Sequence, residues 1–90
     1  MYQQQINERW SREPIFPSSN AQKPSGACFS YFCHVLYDGK AVATVYAEEL
    51  GDDVWEARVE EDGEVVHTMG YTYATFHEAI EDMVSWYSGQ

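Results

Sequence analysis

Basic side chains are scarce in this ninety-residue chain: five Lys and Arg stand against fifteen Asp and Glu, a formal charge of −10. That deficit excludes a bare phosphate-binding role, because proteins that grip nucleic acid gain affinity by placing Lys and Arg on phosphates. Cysteine is sparse as well. Cys28 and Cys33 are too few for a disulfide framework, and on one strand their odd spacing would point them to opposite faces. No apolar run approaches the ~18 residues of a membrane span. The opening MYQQQINERW lacks the basic-then-apolar pattern of a secretory signal. A reduced, cytoplasmic protein without membrane association is the expectation.

What remains is enough for a folded domain. The hydrophobic fraction of 44% and aromatic fraction of 16% are too high for a disordered acidic tail. Size scaling gives roughly 5,400 Å² of surface for the folded form against about 15,000 Å² for the open chain. That allows one modest core and no deep substrate cavity.

The charge is uneven along the chain. Residues 1–40 carry Glu8, Glu13 and Asp38 against Arg9, Arg12, Lys23 and Lys40, a balance of +1. Residues 41–90 carry twelve acids against Arg58 alone, a balance of −11, and nine of the twelve lie between Glu48 and Glu64. The acidity belongs to the folded half.

Two segments follow from composition: residues 1–27 as an N-terminal arm or linker, and residues 28–90 as a single α+β domain. In the arm, Ile6 and Trp10 stand four apart and suit a short helix over Gln3 to Glu13, which Pro14 would end. Pro17 to Gly26 has turn and linker composition. From Cys28 the pattern becomes an antiparallel meander of about four strands over residues 28–73, hinged on Asp38-Gly39 and Asp62-Gly63, the preferred pairs for two-residue hairpin turns. Asp52-Asp53 belongs to the turn between them. Thr75-Phe-His-Glu78 fits a capping box, and an amphipathic helix over residues 75–88 presents Phe76, Ile80, Met83 and Tyr87 to the sheet.

Ideal turn geometry assigns the faces. Tyr37 opposite Lys40 sets Phe32 across from Val45, and the second turn sets Val59 across from Val66 and Trp55 across from Gly70. The helix face is then Phe32, Ala43, Val45, Ala47, Trp55, Ala57, Val59 and Val66. The other face carries Phe29, Tyr31, Val35, Val42, Tyr46, Glu56, Arg58, Met69 and Tyr71. So many rings need a cover: either the arm supplies it through Trp10, Ile15 and Phe16, or a partner does.

Catalytic and metal signatures are weak. Cys28, Cys33, His34, His67 and His77 lack the close spacing of a metal site. A Cys33–His67 pair would sit in a negative field, which raises a thiol pKa and opposes nucleophilic use. No enzyme, cofactor or metal is expected. The acids, by contrast, exceed what solubility alone requires, and concentrated charge of one sign opposes folding. Glu48, Glu49, Asp52, Asp53, Glu56, Glu60, Glu61, Asp62 and Glu64 form a negative surface, with Tyr46 and Trp55 as candidate anchors. Charge speeds encounter with an Arg/Lys-rich surface, and rings supply a desolvated contact.

The acidic hairpin GDDVWEARVEEDGEVV, in a small meander closed by one helix, resembles the small counter-defence inhibitors of phages and mobile elements, of the anti-CRISPR and antirestriction type. The resemblance lies in architecture and composition. It implies an acidic inhibitor, acting in the host cytoplasm, that occupies the basic nucleic-acid channel of a defence enzyme. TYATFHEAIEDM, a Thr-started helix after a hairpin, also resembles antitoxins of the partial RNase H type, although no strand follows it here. The expected function is non-enzymatic docking on a basic, nucleic-acid-binding surface of another protein, without direct contact to nucleic acid. The alternatives are an assembly protein that homodimerises through its aromatic sheet face, and an antitoxin-like inhibitor.

Overall fold

Two Asp-Gly turns organise the sheet. In the computed structural model, which describes residues 4–5, 9–17 and 30–89, Asp38 and Asp62 both adopt φ 53° and the glycines after them φ 82°. Two successive positive φ values match the right-handed twist of paired strands, and Asp-Gly reaches them at low cost. Strands β4 (Ser30–Tyr37) and β5 (Lys40–Gly51) join at the first turn. Strands β6 (Val54–Glu61) and β7 (Glu64–Thr68) join at the second.

All neighbours are antiparallel, and the meander agrees with the four strands expected. It is larger than that expectation, however. Among the described residues, short strands β1 (Gln4–Gln5), β2 (Trp10–Arg12) and β3 (Phe16–Pro17) bring the sheet to seven strands, ordered β1-β2-β4-β5-β6-β7 with β3 also on β4. Trp10–Arg12 is therefore a strand, and no helix spans Gln3 to Glu13. Trp10 lies opposite Tyr37 and Phe16 opposite Phe32, so β2 and β3 follow one edge of β4 on either side of Pro14. Proline has no N–H to donate, which suits it to an interruption on an edge. Of the linker expected over Pro17 to Gly26, Pro17 instead pairs with Tyr31 in β3, and residues 18–26 fall outside the described residues, as do Ile6, Cys28 and Phe29.

The turns pair as expected, but the register beyond them does not. Leu36 faces Ala41, then Val35 faces Ala43, so Val42 is an extra, bulged residue. The second hairpin repeats the device: Glu60 faces Val65, Val59 faces His67, and Val66 is extra. Each bulge shifts the pairing by one residue and exchanges the faces beyond it. Cys33 thus lies opposite Val45, and Phe32 opposite Tyr46. The expected helix face is corrected accordingly. Phe32 and Val66 leave it, and Cys33 and Val35 join Ala43, Val45, Ala47, Trp55, Ala57 and Val59 in the core. Tyr31 and Met69, expected on the other face, also pack against this core. Trp55 is bridged to Tyr73, not Gly70, by reciprocal backbone hydrogen bonds of 2.8 Å.

Helix α1 (Phe76–Ser88) closes the core. Thr75 caps it, its hydroxyl accepting from the Glu78 amide at 3.2 Å, and Gly89 ends it at φ 82°. Ala79, Ile80, Met83 and Val84 are buried against the sheet. The small residues beneath them admit the helix closely, and Phe76 stacks on Tyr31 with centroids 3.8 Å apart. The accessible surface of 5613 Å² is close to the size-scaling value. No helix among the described residues is long and apolar enough to cross a membrane.

Candidate docking surface

Period-two alternation sends every second side chain of β4, β5 and β6 away from α1. The outward set on β6 is Glu56, Arg58 and Glu60. Opposite them on β5 stand Glu48, Tyr46 and Thr44. On β4 the same face carries His34 and Phe32, and Phe16 of β3 adds a ring 6.1 Å from that of Phe32. Phe32 is 6.1 Å from the Tyr46 ring, so a row of aromatics runs across the strands.

The three arm residues expected to cover this face divide between the two sides. Trp10 turns to the helix side, 5.7 Å from the Tyr87 ring, and Ile15 packs against the helix-side core. Phe16 alone of the three joins the open face. Among the described residues, α1 packs only on the opposite side.

Arg58 organises the centre of the open face. Its Nε donates to Glu60 at 3.0 Å, and its Nη1 donates to Glu48 at 3.3 Å. Its guanidinium carbon lies 4.6 Å from the centre of the Tyr46 ring. Cation–π attraction and two charge-assisted hydrogen bonds therefore hold one guanidinium among three partners. Spacing by two along β6 aligns Glu56, Arg58 and Glu60 on one face, but nothing local in the sequence marks Arg58 as a clamp.

The candidate acids fall into separate groups. Asp52 and Asp53 are exposed at the β5–β6 turn, with Asp53 at φ 58°. Asp62 and Glu64 are exposed at the opposite end of β6, about 26 Å away at ~3.3 Å per residue. Glu48, Glu56 and Glu60 are half-buried on the open face between them. Glu61 accepts a hydrogen bond from the Tyr87 hydroxyl on the helix side. Glu49 pairs with Trp55 at the end of the helix face, and its Oε1 is buried without a hydrogen-bond partner among the described residues. Trp55 as a surface anchor is corrected: the residue is 8% exposed, and its ring packs against both members of the stacked Tyr31–Phe76 pair. Tyr46 keeps its place on the open face.

Two concavities accompany this arrangement. A cleft of about 280 Å³ lies between the two Asp-Gly turns, lined by His34, Val42, Thr44, Tyr46, Glu60 and Asp62 among others. A shallow groove of about 560 Å³ follows the outer flank of α1 and includes Tyr73, Glu78 and Asp82. There, the hydroxyls of Tyr71 and Tyr73 both donate to Asp82, at 3.0 and 2.5 Å. Burial, followed by that bond to a carboxylate, pushes the Tyr73 phenol well above its ordinary range.

The groups weighed for chemistry stay apart. Cys33 is fully buried, and burial pushes its thiol up to about 12, with Arg12 opposing the shift. His67 is three strands away on β7, ~14 Å at the usual spacing, and stacks on Trp86 with centroids 3.7 Å apart. A Cys33–His67 pair is therefore not formed. No cluster of three His, Cys, Asp or Glu able to hold a metal occurs among the described residues. His34 Nδ1 lies 3.0 Å from the Thr44 hydroxyl. No protein-family model, curated protein or solved structure matches this chain.

Proposed function

We propose that this chain is a non-enzymatic acidic binding protein that docks its open sheet face and the flanking acidic turns on a basic, nucleic-acid-binding surface of another protein. The observation that carries this reading is the open face itself. Glu48, Glu56 and Glu60 alternate there with Tyr46 and Phe32, and Asp52, Asp53, Asp62 and Glu64 extend the negative surface at both ends. A partner rich in Arg and Lys would meet complementary charge around a half-buried aromatic centre, the arrangement that gives fast encounter and a desolvated anchor. An inhibitor of a phage-defence complex would act in this way, by occluding the channel that normally receives nucleic acid. Homodimerisation through the same face is disfavoured by the carboxylates it would bring together.

The test is comparative capture from a nuclease-treated lysate of the candidate host. Immobilised wild-type protein is set beside a variant with Asp52, Asp53, Glu56 and Glu64 changed to Lys. Nucleic-acid-binding proteins should be retained by the wild type, lost by the variant, and released when salt rises from about 0.1 M to about 1 M and the Debye length shrinks from ~10 to ~3 Å. Retention of the same proteins by the variant would overturn the electrostatic reading. A concentration-dependent dimer in sedimentation would favour the assembly alternative instead.

A further inference from the structure

The cleft between the two Asp-Gly turns has a size, a charge and a wall that select one kind of group. Its volume of about 280 Å³ lies just under the ~300–1,000 Å³ of small-molecule pockets, so it suits a long side chain better than a cofactor. Val42, the bulged residue of β5, and Thr44 form part of its lining, the Tyr46 ring supplies an aromatic surface, and Glu60 and Asp62 contribute carboxylates. His34 is engaged with Thr44 at 3.0 Å.

A guanidinium held by these same residues is already present. Arg58 caps the Tyr46 ring at 4.6 Å and donates to Glu60 Oε2 at 3.0 Å, yet Arg58 does not line the cleft. Tyr46 and Glu60 therefore bind one arginine from outside the cleft while also facing into it. Asp62, two residues beyond Glu60, has no Arg58 contact and stands at the cleft rim. We infer that the cleft is a receptor for a single arginine side chain presented by the basic partner, its guanidinium stacked on Tyr46 and hydrogen-bonded to Glu60 and Asp62. A planar fork of donors matches a ring beside two carboxylates better than a lysine ammonium does. This assignment rests on the docking function proposed above and names the side chain that would anchor it.

Titration of the ¹⁵N-labelled full chain at low salt tests it, with Nα-acetyl-arginine amide, Nα-acetyl-lysine amide and a hexa-arginine peptide as probes. The arginine probe should move the amides of Val42, Ala43, Thr44, Tyr46, Glu60, Asp62 and Gly63 saturably, and the lysine probe should bind more weakly. Tyr46→Leu should weaken arginine binding about two- to fivefold, the loss of a surface cation–π contact. Asp62→Asn removes the charge while retaining a residue type that tolerates positive φ, and should weaken binding by a similar factor. Shifts spread over every acidic segment, or affinity unchanged in both variants, would overturn the receptor. The peptide separates the two ideas. If hexa-arginine binds and depends on Asp52, Asp53 and Glu56 while the single arginine does not localise, the docking function stands and the cleft assignment falls. If hexa-arginine does not bind at all, both fall.

Discussion

Arg12 and Glu81, 69 positions apart, meet at 2.5 Å between β2 and α1. The strand register explains how. Arg12 lies opposite Val35, which points into the core, so the arginine projects beneath the helix. Its side chain is 8% exposed, whereas Glu81 is 51% exposed. The pair therefore joins a sequestered guanidinium to a wet carboxylate and fastens the first segment of the chain over the last. Arg12→Ala loses the buried stem as well as the pair and should cost about 2–3 kcal/mol. Glu81→Ala should cost less, because Arg12 also donates to the Glu13 carbonyl at 3.3 Å. Urea unfolding of the two variants checks the order, which reverses if the stem packing is unimportant.

Cys33 lies in the same layer, beside Arg12. Burial raises its thiol from 9.0 to about 12, and the guanidinium only partly offsets the rise. The thiolate is the reactive form, so this cysteine should be inert in the native state. In a Cys28→Ser background, alkylation of Cys33 should follow global unfolding and accelerate with urea in step with it. Rapid modification under native conditions would contradict the burial.

Tyr87 supplies a pH signature. Burial and its hydrogen bond to Glu61 raise the phenol from 10.0 to about 12. Between those values the unfolded chain loses the proton first, so the folded state binds more protons and stability falls as pH rises. The contribution is complete below pH 10.0 and is lost as pH passes about 12. Cys33 adds a fall that begins near pH 9.0. Tyr87→Phe should flatten the part above pH 10.0, and Cys33→Ala the onset near pH 9.0, in urea midpoints measured across this range. A slope unchanged by both substitutions would assign the alkaline loss to other groups.

Gly39 and Gly63 share φ 82°, and a Cβ on either would meet nothing within 4 Å. An alanine there would suffer from backbone conformation alone, about 1–2 kcal/mol per site. Gly70 has the same open space without positive φ. Gly70→Ala should be neutral or stabilise by ~0.4–1 kcal/mol through the unfolded chain. Thermal unfolding distinguishes them, since 1 kcal/mol moves the midpoint of a domain this size by about 4–8 °C.

These turns also mark where the sequence ceases to be legible. Asp-Gly specifies two-residue connections and the first pairs beside them, because only residues tolerant of positive φ fit. Val42 and Val66 carry no such mark. A valine in a bulge has the same composition as a valine in a ladder, and the advantage of the bulge appears only when Cys33 and Val35 meet Ala43 and Val45 beneath the helix. The helix was legible, since its N-terminal cap and its apolar stripe are local. Trp10 to Pro17 was not, because their pairing on β4 depends on an edge far away in the chain. In the candidate site, Tyr46 and the turn acids were readable from alternation and turn chemistry. Trp55 was misplaced because a tryptophan among acids has the composition of a surface anchor, and only the contacts of Tyr31 and Phe76 assign it to the core.

Asp52, Asp53 and Glu56 bear directly on the proposed docking, because none of the ion pairs among the described residues includes them. Glu48 and Glu60 are compensated by Arg58, whereas these three add to a chain whose net charge is −10. Like charges gathered at one end of a hairpin oppose folding, and salt relieves them. The variant Asp52→Asn, Asp53→Asn, Glu56→Gln should therefore be more stable than wild type at low ionic strength. The gain should be about 0.5–1.5 kcal/mol, within ±0.5 kcal/mol per surface site, and should shrink as salt is added. Asparagine accepts the positive φ of Asp53, so the turn is preserved. The same variant should bind hexa-arginine more weakly and with a shallower salt dependence. Stability gained together with binding lost is the pattern expected of charge kept for a partner at the expense of the fold. Stability gained with binding intact would assign these three acids to solubility and move the docking surface away from the β5–β6 turn.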